Sequence, residues 1–73
     1  MKTFYYTNTL GFNKMLDIDE TPNAEGKYHC MLWSADNGEL CGFNYLSIGE
    51  IREYFRNNKI EGTFDPKTEE GNQ

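Results

Sequence analysis

Along residues 3–10, Phe4, Tyr6 and Leu10 occupy even positions while Thr3, Thr7 and Thr9 occupy odd ones. This period of two, broken only at Asn8, predicts a strand with one apolar face. Residues 14–20 repeat the pattern, with Leu16 and Ile18 on one side and Asp17 and Asp19 on the other. Gly11 and Asn13 offer a turn between the two runs, which favours a hairpin, although one long bent strand fits the same alternation. Residues 21–26, with Pro22, Asn23 and Gly26 and no large apolar side chain, read as a loop.

The strongest local signal follows. Residues 27–35 and 39–46 are β-rich runs joined by Asp36-Asn37-Gly38. Asn-Gly suits a two-residue type I′ turn, in which both central residues need positive φ. With Asn37 and Gly38 at the turn, one face pairs Cys30 with Tyr45, Leu32 with Phe43 and Ser34 with Cys41. The other pairs His29 with Leu46, Met31 with Asn44, Trp33 with Gly42 and Ala35 with Leu40. The first face is the expected core; in the second, the Trp33 ring is expected to cover Gly42.

Ser47-Ile48-Gly49-Glu50 has the form of a capping box, in which the serine oxygen takes a free backbone N–H and the glutamate reaches back to the cap. A helix is therefore expected over 48–59, with Ile48, Ile51 and Phe55 forming the stripe that lies on the sheet. The predicted fold class is α+β: a small antiparallel sheet of about four strands, at 3–10, 14–20, 27–35 and 39–46, with one helix packed on one face. Residues 1–62 form the single domain. Residues 63–73 read as an acidic flexible tail, with Phe64 as their one large apolar residue.

Composition narrows the function classes. In 73 residues the chain carries five Phe, five Tyr and one Trp, too aromatic for a disordered chain. The 12 acidic residues outnumber the seven basic ones, for a formal net charge of -5. Phosphate-backbone binding draws its affinity from Lys and Arg displacing counterions, so direct nucleic acid binding is disfavoured. No apolar run approaches the roughly 20 residues of a membrane span, and the first residues lack the apolar core of a signal peptide; a cytoplasmic location is expected.

Chemistry finds little purchase. Cys30 and Cys41 lie four ladder positions apart in the expected register, roughly 13 Å at about 3.3 Å per residue, too far for a disulfide. They read as two small core residues. His29, the one histidine, points away from Cys30 because consecutive strand residues face opposite sides, so no Cys–His pair forms. The run from Asp17 opens like a calcium loop, but Pro22 stands where a glycine is required and Tyr28 where a glutamate is required. No zinc spacing, glycine-rich phosphate loop or nucleophile elbow is present. Asp17 and Asp19 lack a pocket to desolvate either of them. No enzyme, cofactor or metal site is expected.

A surface for protein contact remains. The expected site is Met31, Trp33, Leu40 and Asn44 as apolar anchors and their neighbour, rimmed by Asp17, Asp19 and Glu20, and the expected partner is a protein with a basic surface. One concrete form is an inhibitor or adaptor occupying the nucleic-acid-binding groove of a larger protein, as small accessory proteins of phages and mobile elements do. Two rivals stand beside it: a small-ligand or single-strand-binding module using Tyr5, Trp33 and Tyr54, and a structural subunit whose hairpin edge pairs with its own copy to give a homodimer.

Overall fold

The computed structural model describes residues 1–66 and places them in the order β1 (Lys2–Thr7), β2 (Asn13–Ile18), β3 (Tyr28–Ser34), β4 (Leu40–Leu46) and α1 (Ile48–Asn58). The strands form one sheet in the order β1-β2-β3-β4, each antiparallel to the next. The expected α+β class holds: a four-stranded antiparallel sheet and one helix.

Asn8 ends the first strand. Its Oδ1 accepts from the N–H groups of Leu10 and Phe12 at 3.0 and 2.9 Å, and Gly11 closes the turn at φ 89°. Leu10 and Phe12, which continued the even-position pattern, therefore leave the strand and are 79% and 57% exposed. The β2–β3 connection repeats the device: Asn23 Oδ1 accepts from Glu25 and Lys27, with Gly26 at φ 78°. The shared spacing, Asn-x-x-Gly, marks both turns in the sequence.

The helix starts as its cap predicts. Ser47 N donates to Glu50 Oε1 at 2.8 Å, and Glu50 N donates to Ser47 Oγ at 3.2 Å. At the other end Lys59 turns left-handed at φ 54°, which carries Ile60 back onto the core, 7% exposed.

The even-numbered residues of β1, β2 and β3 face the helix. Leu16, Ile18, Tyr28 and Cys30 are buried there with Ile51, Phe55, Ile60 and Phe64. Edge-on ring pairs tie the layers together, Phe4 to Phe55 at 4.8 Å and Tyr28 to Phe64 at 5.2 Å. Phe64, at 2% exposure, is thus a core residue, although the sequence pattern put it in a loose tail. A lone aromatic in a polar stretch carries no period, so only its destination against Tyr28 reveals its role. The rest of that tail, residues 67–73, lies outside the described residues.

The β3–β4 hairpin departs from the expected register. Its loop holds four residues rather than two: Ser34 N donates to Glu39 O at 2.8 Å, Gly38 N donates to Ser34 O at 2.8 Å, and Gly38 sits at φ 77°. Trp33 then opposes Leu40, and a bulge at Cys41 shifts the register so that Leu32 opposes Gly42, Met31 opposes Phe43, Cys30 opposes Asn44 and His29 opposes Tyr45. A bulge inserts one unpaired residue, and a one-residue slip sends every later side chain to the other face. Phe43 and Tyr45, expected in the core, therefore lie on the side away from the helix, while Gly42, Asn44 and Leu46 lie on the helix side. Trp33 does not cover Gly42. Cys41, expected as a core residue, is exposed.

Candidate functional site

Among the described residues, none covers the sheet face away from the helix. Its rows follow from the ladder: Tyr5, Met15, Trp33 and Leu40 in one, and Thr3, Asp17, Met31 and Phe43 in the next. Asp19, His29 and Tyr45 begin a third, with Asp19 N donating to His29 O at 2.9 Å. None of these side chains joins the core cluster. Tyr5 is 69% exposed and Phe43 67%, with Leu40 and Tyr45 near half. Met15, Met31, Trp33 and His29 are half-buried by their neighbours in the sheet.

The face is organised rather than a scatter of exposed residues. The His29 imidazole lies between two rings of β4, 4.8 Å from Tyr45 and 5.9 Å from Phe43. Trp33 lies flanked by Met15 and Leu40, and its Nε1–H is buried with no acceptor among the described residues. The indole is held by packing of its ring, at the cost of an unsatisfied donor. Aromatic residues and methionine are the types enriched at the centres of protein interfaces, and an uncovered apolar patch on a small protein marks a contact surface more often than chance.

Charge divides the two sides. Asp17 and Asp19 are the acidic side chains of the open face, and among the described residues no lysine or arginine occupies a strand position there, Lys27 standing just before β3. Lys2 and Lys14 fall on even, helix-side positions, and Arg52, Arg56 and Lys59 belong to the helix and its end. Asp17 Oδ1 accepts from Thr3 Oγ1 at 2.7 Å. The Met1 amine lies 3.4 Å from Glu20.

Of the residues picked out by sequence, the structure brings Met31, Trp33, Leu40, Asp17 and Asp19 to this one face. Asn44 is corrected: the bulge turns it to the helix side opposite Cys30, where its Oδ1 accepts from the Tyr45 N–H. Glu20 follows β2, beside the chain start. Sequence reasoning missed Phe43, Tyr45 and Met15 as members of the face, and placed His29 on it without counting it in the site. The signal that could have found the two aromatics is Gly42, since a glycine inside a strand pattern often accompanies a bulge.

The three aromatics of the stacking alternative do not converge. Tyr5 and Trp33 share the open face, but Tyr54 lies on the helix, half-buried, its hydroxyl hydrogen-bonded to that of Tyr6. Burial and that hydrogen bond push the Tyr6 phenol well above its usual range.

Nucleophile chemistry is equally unsupported. The Cys30 thiol is pushed up to about 11 by burial, which keeps it protonated, and it donates to Tyr28 O at 3.5 Å. Both cysteines are free. Among the described residues no group of three or more His, Cys, Asp or Glu side chains could hold a metal ion, and no helix is long and apolar enough to cross a membrane. On the helix side a groove of about 230 Å³ opens above Gly42 between Leu32, Leu46 and Tyr54.

The chain is thus a small α+β protein with one closed and one open sheet face. No family model, curated protein or solved structure matches it.

Proposed function

We propose that this protein is a small acidic protein-binding module, whose open sheet face docks on a partner with a basic surface. The observation that carries this reading is the pair of adjacent rows in which exposed Tyr5 and Phe43 flank half-buried Trp33 and Met31 beside Asp17, on a face whose described strand positions hold no lysine or arginine. Apolar anchors supply the affinity of such a contact, while acids steer the encounter with a positively charged partner. In its most specific form the module is an inhibitor or adaptor that occupies the nucleic-acid-binding groove of a larger protein. The two free thiols agree with a reducing, cytoplasmic setting.

That no described strand position of the face carries a lysine or arginine weighs against the stacking alternative, because single-strand binders combine their aromatic platforms with a positive groove. Self-association through this face would bring two Asp17 carboxylates and two chains of formal charge -5 together.

The test is a pull-down from host lysate with tagged wild type beside a Met31→Ser, Phe43→Ser variant whose helix and sheet signals are unchanged by circular dichroism. Retention of a protein by the wild type and its loss from the variant supports the reading, and release of that protein's nucleic acid would support the inhibitor form. Equal retention by both removes the open face as the site. Binding of a single-stranded oligonucleotide that weakens steeply with salt would favour the rival instead.

A further inference from the structure

The open face holds a group that a purely apolar partner could not tolerate. Asp17 sits within it, between Thr3 on β1 and Met31 on β3, with Met15 two residues before it on β2 and Asp19 just past the strand's end, where its Oδ1 accepts from the Thr21 N–H at 3.0 Å. The described partner of Asp17 is the Thr3 hydroxyl, through Oδ1. Among the described residues no lysine, arginine or amine lies within ion-pair distance of Asp17 or Asp19. In water this is inexpensive. Once a partner covers the face, water leaves, and a desolvated carboxylate without a countercharge is among the costliest groups an interface can contain.

We infer that the open face takes a protein segment carrying an arginine, whose guanidinium pairs with the Asp17 and Asp19 carboxylates while its apolar neighbours lie on Met31, Trp33 and Phe43. This rests on the docking role proposed above and specifies the chemistry of the partner. Alternate residues of a strand share a face at a spacing of roughly 7 Å, twice the rise of about 3.3 Å. A planar guanidinium, with five N–H donors in a fixed fork, can bridge two carboxylates at that spacing; an ammonium is a compact point charge and satisfies one of them. The tilted His29 and Tyr45 rings next to Asp19 offer the flat surface on which a guanidinium stacks. A second copy of this chain brings acids to the same place and leaves both pairs of carboxylates uncompensated. A nucleic acid brings phosphates, with the same result.

The experiment is selection of phage-displayed random peptides on immobilised full-length protein, in parallel on wild type, Asp17→Lys and Met31→Ser, Phe43→Ser. The expected result is that wild type enriches sequences with an arginine flanked by aromatic or aliphatic residues, and that Asp17→Lys enriches glutamate or aspartate at that place. A synthetic wild-type-selected peptide should lose at least about 30-fold in affinity against Asp17→Asn, and as much when its arginine is replaced by glutamine. Replacement by lysine should cost less than replacement by glutamine.

Wild-type peptides without enriched arginine, or none recovered at all, overturn the inference, as does equal binding to wild type and Asp17→Asn. If the selected peptides bind the Met31→Ser, Phe43→Ser variant as well as wild type, the docking face itself is wrong, which separates the two failures. A stable dimer in sedimentation that Phe43→Ser dissociates would also overturn it, since the occupant would then be a second copy.

Discussion

The two faces of the sheet are made of similar material and used differently. On one, Leu16, Ile18, Tyr28 and Cys30 meet Ile51, Phe55, Ile60 and Phe64 and are nearly sealed from water. On the other, Tyr5, Met15, Met31, Trp33, Leu40, Phe43 and Tyr45 make a second apolar surface with no described residue above it. The described residues contain one helix, which covers one face; that face holds the buried core, and the other is the face proposed for contact. Stability and binding should therefore respond to substitutions on opposite sides of the same four strands.

The sharpest test of that division pairs two phenylalanines. Phe64→Ala should cost about 3–5 kcal/mol, because it empties a fully enclosed site beside Tyr28. For a protein of this size that is a large part of a total expected near 4–11 kcal/mol. Phe43→Ala, 67% exposed, should change stability by less than about 1 kcal/mol. Urea denaturation of both variants measures the contrast. Equal losses would mean that the open face also carries the fold.

The two thiols give a second contrast. Cys41 is exposed at the bulge, whereas Cys30 is buried and its thiol is pushed up to about 11 by that burial. Under native conditions a thiol reagent should modify Cys41 first, with Cys30 slower by at least about 100-fold and released only on unfolding. The raised value also sets a sign. Cys30 favours the protonated form in the folded state, so its contribution is complete below the unfolded thiol value near 8.5 and is lost as pH rises toward 11. Comparable reaction rates for the two thiols would show that Cys41 is no more accessible than Cys30.

What the sequence made legible, and what it did not, follows from how local each signal is. The helix boundary was readable because Ser47 and Glu50 complete one another within a single turn. Strand existence was readable from alternation. The register of β4 was not, because Asn37-Gly38 fits a two-residue turn as well as the four-residue loop that forms, and the bulge at Cys41 reverses the face of everything after it. Leu40 precedes the bulge and keeps its expected face; Phe43, Asn44 and Tyr45 follow it and change sides. Hence the candidate site was half visible: Asp17, Met31, Trp33 and Leu40 stood out, while Met15 went unremarked and the β4 aromatics Phe43 and Tyr45 were assigned to the core.

The smallest effects belong to the cap that fixes where the helix lands. Ser47→Ala removes the acceptor for the Glu50 N–H and should cost about 1 kcal/mol, leaving the open face unaltered. Glu50 is the more informative partner because its charge makes the contribution depend on pH. Hydrogen bonds from the Ser47 backbone and hydroxyl hold its carboxyl below the usual range, assisted by Lys27. A folded-state value below the unfolded one means that the ionised form is favoured by folding. The stabilisation is therefore present above the unfolded value near 4.3 and disappears as pH falls through the lower, folded value. Glu50→Gln should be less stable than wild type at pH 7, and the two should converge in acid. Peptide binding by the open face should be the same for both at neutral pH, since the cap lies at the end of the closed side. Unfolding curves at pH 7, 5 and 3 measure the convergence; a gap that persists undiminished at pH 3 would show that the carboxylate is not the source of the cap's stability.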